Sequence, residues 1–136
     1  MRVLIDTNVV LDFLQEREPF VKDAARLFAR IDAGEIEGFI AATTITNIYY
    51  IVRRAAGMDA AHNAIAQVLA DLNICPVDRD VLEQAIKLNF RDFEDAVQYA
   101  CGVVHSVDVI VTRDVSGFIS GDIPVVLPKD FDDFTI

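Results

Sequence analysis

Short apolar runs alternate with amphipathic stretches along this chain, and that alternation restricts the folds open to it more than any other feature. "RVLID" (2–6), "GFIAA" (38–42), "NICPV" (73–77), "DVIVT" (108–112) and "IPVVLP" (123–128) each have the length and composition of a buried strand. Between them the apolar residues recur at helical spacing. Val21, Ala25, Phe28 and Ile31 form one stripe, running from Pro19 to a stop at Gly34. "TTITNIYYIVRRAAG" turns Ile45, Ile48, Tyr49, Val52 and Ala56 to one face and stops at Gly57. From Asp59 a helix carries Ala61, Ile65, Val68, Leu69 and Leu72, and Asp78 or Asp80 caps a short helix reaching Leu88. In "DFEDAVQYACGVVHSV" (92–107), Phe93, Ala96, Ala100, Val103 and Val107 are expected to face inward. Strands separated by helices require crossovers. The expected architecture is therefore α/β, with a mostly parallel sheet of about five strands and helices on both faces. The strand containing Pro124 and Pro128 belongs at an edge. No repeat, low-complexity run or linker divides residues 1–136, which read as one domain.

Composition narrows the setting. Hydrophobic residues make up 53% of the 136, enough for a substantial core, yet no run approaches the length of a membrane span. An Arg and an Asp within the first six residues do not fit a secretory signal. Cys75 and Cys101 lie in apolar segments and read as small buried hydrophobes, which suits a reducing cytoplasm. Twelve basic residues face twenty-two acidic ones, a net charge of −10. Proteins that hold nucleic acid by charge alone are usually basic. This chain can meet a phosphodiester only across a cation or through local arginines such as Arg53 and Arg54. Otherwise its acidity serves solubility.

The first strand ends on Asp6, followed by Thr7 and Asn8. Asp there is a good helix cap. It is also at the carboxyl end of a strand, where open α/β sheets bind ligands. Asp114 follows the strand 108–112 at the same edge. Asp95 lies in the first turn of a helix that runs antiparallel to that strand, so it reaches the same edge again. Each has a local explanation: Asp92 and Asp95 resemble a capping box, and Asp114 suits a turn. Gathered together, three carboxylates repel one another. A divalent cation offsets that, and an all-oxygen set favours Mg²⁺ or Mn²⁺.

"LIDTNVVLDFL", "TTITNIYYIVRR", "DFEDAVQYA" and "VTRD", in this order, resemble a PIN domain, and the resemblance covers nearly the whole chain. It implies a sheet of order 3-2-1-4-5, an acidic pocket holding Mg²⁺ or Mn²⁺, and hydrolysis of single-stranded RNA, as in VapC-type toxins. By motif, Asp6, Asp95 and Asp114 are the acids, with Asn8 and Thr112 shaping the pocket. Many PIN nucleases carry a Glu on the helix after the second strand. Here Asn47 falls nearest, one negative charge fewer, with an amide able to orient water.

Around that core, Asp92 and Arg113 are supporting candidates, Arg113 as a fork for flanking phosphates beside Arg53 or Arg54. Tyr50 is a candidate for base stacking and Tyr49 for the core. His62 and His105 have no second ligand nearby and read as structural. The expected partners are single-stranded or structured RNA, a cognate antitoxin with an Arg- or Lys-bearing segment, and a second copy of the chain. The homodimer is also argued from Phe13, Phe20, Phe28 and Phe39. The competing reading is a PIN-fold binding or regulatory module with little or no turnover. A phosphotransferase using Asp6 as nucleophile is disfavoured, because that chemistry wants an acid where Asn8 stands.

Overall fold

A computed structural model describes residues 1–118 and 121–135. Five strands, β1 (Arg2–Ile5), β2 (Glu37–Ala41), β3 (Asn73–Cys75), β4 (Val109–Val111) and β5 (Val125–Val126), form one sheet. Their order is 3-2-1-4-5 and every pairing is parallel. The helices are α1 (Thr7–Leu14), α2 (Val21–Asp32), α3 (Ala42–Ala56), α4 (Met58–Asp71), α5 (Arg79–Lys87) and α6 (Phe93–Val104). Among the described residues, no helix is long and apolar enough to cross a membrane.

β1 is the centre of the sheet, and its alternation explains the two layers. Val3 and Ile5 join a core with Val9 and Val10 of α1, Leu27 and Phe28 of α2, Ile48 and Val52 of α3, and Val68 of α4. Leu4 points the other way, into a core with Val81 and Ala85 of α5 and Val97, Ala100 and Cys101 of α6. All three β1 side chains are fully buried. Each contributes about 1.5–3 kcal/mol of burial, so positions 3 to 5 tolerate no charge, and Arg2 stays at the half-buried start of the strand.

Several expected inward residues lie elsewhere. On α6 every residue from 96 to 102 is buried, so the expected Ala96 and Ala100 lie inside, as does Val107 beyond the helix, but the ends of the expected stripe do not. Phe93 and Val103 are each about half exposed, at 49% and 47%. The middle of α6 is enclosed between α5, the sheet and the turn after β4, while its two ends reach past that packing. On α4, Ala64 is buried while Leu69 is 55% exposed. α3 and α4 pack closely as a hairpin, so only a narrow stripe of α4 (Ala61, Ala64, Val68) is enclosed. Ala56 is exposed at the end of that hairpin, where Gly57, at φ 94°, turns the chain. Pro19 belongs to the turn before α2, which begins at Val21. The four phenylalanines offered for a dimer are largely satisfied within the chain. Phe13 and Phe28 stack at 4.2 Å, Phe39 lies under the Arg2 guanidinium, and only Phe20 is exposed, beneath Arg113.

Candidate active site

Asp6 fills the first of its two expected roles. It caps α1, its Oδ1 accepting from the Thr7 backbone N–H at 2.7 Å. The same oxygen accepts from Gln98 Nε2 at 2.9 Å, and Oδ2 accepts from Thr112 Oγ1 at 2.7 Å. A carboxylate offers about four lone-pair sites. Three are filled by these fixed donors, and the remaining site is on Oδ2. The side chain is nearly buried, at 5% exposure, yet it borders an open cavity of about 460 Å³.

That cavity brings together the expected Asp6, Asn8, Asn47, Asp92, Asp95 and Asp114. The sheet edge supplies the first and last, the N-terminal turn of α6 supplies Asp92 and Asp95, and α3 supplies Asn47. Asp92 is the cap of α6, with Oδ1 accepting from the N–H groups of Glu94 and Asp95. Thr112 stands behind the wall. It donates to Asp6 and accepts from the Asp114 N–H at 3.0 Å, tying the two carboxylate-bearing segments together. Ser116 Oγ donates to Asp114 Oδ1 at 2.7 Å, which leaves Oδ2 for the cavity side.

Arg113 departs from expectation. Its Nε and Nη2 donate to Asp12 Oδ2 and Oδ1 at 2.7 and 3.2 Å, and its guanidinium lies 3.9 Å over the Phe20 ring. It is therefore not a fork in the acidic cavity. Asp12 is 1% exposed, and a carboxylate so buried requires a partner. That demand outranks a phosphate.

Other members of the site escaped the sequence reading. Gln98, 1% exposed, orients Asp6. Its signal was a lone amide inside the apolar run "AVQYA", one turn beyond Asp95. Glu94 accepts from Thr7 Oγ1 and adds a fifth carboxylate to the cavity. Gly117 is the least visible of all. A Cβ there would come within 2.8 Å of Asp95 Oδ2 and 3.2 Å of Asp114 Oδ2, so both oxygens converge on space that only glycine leaves open.

Electrostatics follow from the crowding. Partial burial, and then the charges of Asp6, Asp92, Glu94 and Asp114, push Asp95 up to about 7. Among the described residues, no three acidic, His or Cys groups already close into a metal shell. The carboxylates form an open cup instead. Its all-oxygen donors, its unfilled oxygens on Asp6, Asp95 and Asp114, and the space at Gly117 fit a hard divalent cation. The positive charge of such a cation would offset the carboxylate repulsion that, after burial, raises Asp95.

Comparison with known proteins agrees with this geometry. The family model described as "PIN domain" matches residues 2–116. The chain belongs to the PIN domain family. Over 135 residues this PIN domain is 29% identical to Ribonuclease VapC1 of Aquifex aeolicus (strain VF5), spanning 96% of this chain and 92% of that one. Among solved structures, FitAcB from Neisseria gonorrhoeae matches with a TM-score of 0.73 at 17% identity, over 93% of this chain and 98% of the other. A toxin–antitoxin complex from Klebsiella pneumoniae matches at 0.70 and 21%, over 93% and 97%. Mycobacterium tuberculosis VapC20, a Sarcin-Ricin loop cleaving toxin, matches at 0.66 and 19%, over 79% and 86%. These structures share the fold.

Proposed function

We propose that this PIN domain is a Mg²⁺- or Mn²⁺-dependent endoribonuclease acting on single-stranded or structured RNA, and the toxin of a toxin–antitoxin pair. The observation that carries the reading is the cup of carboxylates from three distant segments, with Asp95 raised to about 7 and glycine at its floor. Its ribonuclease relative and its toxin–antitoxin structural neighbours support the same class.

Asp6, Asp95 and Asp114 would hold the cation. When bound, it lowers the pKa of a coordinated water and screens charge building on phosphorus. The protein's own groups do the rest. Gln98, Thr112 and the Thr7 N–H fix the Asp6 carboxylate in one orientation. With three of its sites filled by donors, Asp6 has one lone-pair site left, on Oδ2. The proton of the attacking water goes to Asp95 or Asp114, whose Oδ2 atoms meet near Gly117. Asn47, on the opposite wall, orients that water through its amide.

The cognate antitoxin brings an Arg- or Lys-bearing segment into the five-carboxylate cavity. A second copy of the chain completes a homodimer, and the exposed Leu82 and Ile86 of α5 offer apolar area for assembly. The free thiols of Cys75 and Cys101 suit the cytoplasm.

One observation favours a second reading, a PIN-fold binding module with little turnover. α3 presents Asn47 to the cavity and no acid. One experiment separates the two. Purified wild type and Asp6→Asn are incubated with RNA in Mg²⁺, Mn²⁺ or chelator. The nuclease reading expects metal-dependent cleavage that falls by orders of magnitude in Asp6→Asn, with the fold retained. Equal cleavage by both proteins removes the site, and no cleavage by wild type favours the binding module.

A further inference from the structure

The acidic cavity does not end at Asp114. A second cavity, of about 940 Å³, adjoins the first and shares Asp92, Asp95 and Asp114 with it. Its other walls are the α5–α6 connection (Leu88, Asn89, Phe90, Arg91) and the turn at Ser116 and Gly117. The two cavities together make one trench, with the acids at its middle.

Each arm of the trench carries one arginine. Arg54, in the last turn of α3, lines the first arm, and Arg91, just before the cap of α6, lines the second. Both are exposed. The chain has nine arginines in a background of surplus acid. Six of them, at positions 2, 17, 26, 30, 79 and 113, reach a carboxylate within ion-pair distance. Arg53, Arg54 and Arg91 do not, among the described residues, and of these three Arg54 and Arg91 line cavities walled by carboxylates. Aromatic groups accompany both. Tyr50 lies one turn before Arg54, lines the same arm and is 56% exposed. Phe90 packs edge-on against Tyr99 and Phe118 at 5.5 and 6.3 Å, which anchors the connection that presents Arg91.

We propose that the trench is a track for one nucleic-acid strand, in which Arg54 and Arg91 each grip a backbone phosphate on opposite sides of the acidic centre and Tyr50 stacks a base. A strand crossing five carboxylates needs fixed positive charge where no cation sits, and the arms supply it at those two places. An arginine fork suits a phosphate's paired oxygens. Base stacking on tyrosine is indifferent to sequence. The track thus deepens the nuclease reading, and rests on it only for the identity of the strand as substrate.

The test uses a fluorescein-labelled single-stranded RNA oligonucleotide and fluorescence anisotropy in Mg²⁺. The parent is Asp6→Asn, which slows cutting of the probe, and Arg54→Ala, Arg91→Ala and Arg79→Ala are made on it. Arg54→Ala and Arg91→Ala are expected each to weaken affinity about tenfold or more, because each loses a charge-assisted contact. Each should also lower the slope of log affinity against log salt by about 0.7, the value for one phosphate contact on a single strand. Arg54→Lys should recover part of the loss. Arg79, paired with Glu83 on α5 outside the trench, should leave both quantities unchanged when replaced. Thermal melts establish that the variants fold.

Equal affinity and slope in parent, Arg54→Ala and Arg91→Ala overturn the track, as does a parent that binds no RNA. Cleavage by the corresponding variants with Asp6 intact is measured alongside. If the wild type cuts no RNA but the arginine variants still lose affinity, the nuclease reading falls and the track stands. If they cut RNA at the wild-type rate with unchanged affinity, the track falls and the nuclease reading stands.

Discussion

Replacing Asp95 by Asn should make the metal-free protein more stable at neutral pH, although it removes a helix-favouring charge. Asp95 rises from 3.8 to about 7 through partial burial and four neighbouring carboxylates. At 1.36 kcal/mol per pKa unit, the full shift would correspond to roughly 4 kcal/mol. The side chain is partly exposed, and solvent screening reduces this to about 1–2 kcal/mol. Against it stands the attraction between an acid in the first turn and the α6 dipole, about 0.3–1 kcal/mol. The repulsion is larger, so Asp95→Asn gains about 0.5–1.5 kcal/mol at pH 8, or roughly 2–6 °C in melting temperature. The sign follows from linkage. Between the unfolded value near 4 and the folded value of about 7, the native state holds more protons than the unfolded one. The stability that wild type derives from Asp95 is therefore present below pH 4, falls as pH rises to about 7, and is level above. The assay is a set of thermal melts at intervals from pH 4 to 8, with chelator and with Mn²⁺. The gap between variant and wild type should open across that window in chelator. Mn²⁺ at a hundredfold excess over its dissociation constant should raise wild type by about 2.7 kcal/mol and the variant by much less. A gap independent of pH, or a variant less stable than wild type at pH 8 in chelator, would refute the reasoning.

Asn47→Glu adds a sixth carboxylate to the cavity; it should lower metal-free stability by about 1 kcal/mol and enlarge the Mn²⁺-induced rise in melting temperature, both read in the same melts. Arg113→Ala leaves the buried Asp12 with only Arg17 at 3.9 Å; chemical denaturation should show a loss of about 3 kcal/mol, smaller for Arg113→Lys, and a loss under about 1 kcal/mol would mean Asp12 finds another partner. Gly117→Ala forces the Asp95 and Asp114 oxygens apart; RNA cleavage should fall up to about a hundredfold while the melting temperature changes little, and full activity would show that the cup tolerates a methyl group.

The gathering of Asp6, Asp95 and Asp114 was legible in the sequence because topology alone decides it. A residue that ends a parallel strand, and one that starts the helix leading into the next strand, must lie at the same edge. Arg113 was not legible, because its role depends on Asp12. That residue interrupts the apolar run "VVLDFL", and nothing local shows that helix α1 buries it. The burial of α6 was hidden for a related reason. A stripe drawn at helical spacing expects one inward face, but the middle of this helix is enclosed on all sides, so Gln98 and Tyr99 are buried while Phe93 and Val103, near the two ends, are not. Leu69 shows the limit of hydropathy as a guide, since a leucine at helical spacing lies outside when its helix is enclosed only by a narrow hairpin partner. Gly117 could be found only with its neighbours in place, because its importance lies in what it omits.

The bond from Thr112 to Asp6 joins residues 106 positions apart, and the Gln98 bond spans 92. Contacts so distant in sequence form late, after the intervening chain has closed on itself. They also impose an order on synthesis. Asp6 is made more than ninety residues before Gln98 and more than a hundred before Thr112 and Asp114, and β1 has no β4 beside it until residues 109–111 exist. An unfinished chain on the ribosome therefore carries one acid of the site without the groups that aim it or the two acids that complete the cup. The cup is thus absent while residues 6 to 97 emerge, and assembles only once the stretch from Gln98 to Asp114 has been made.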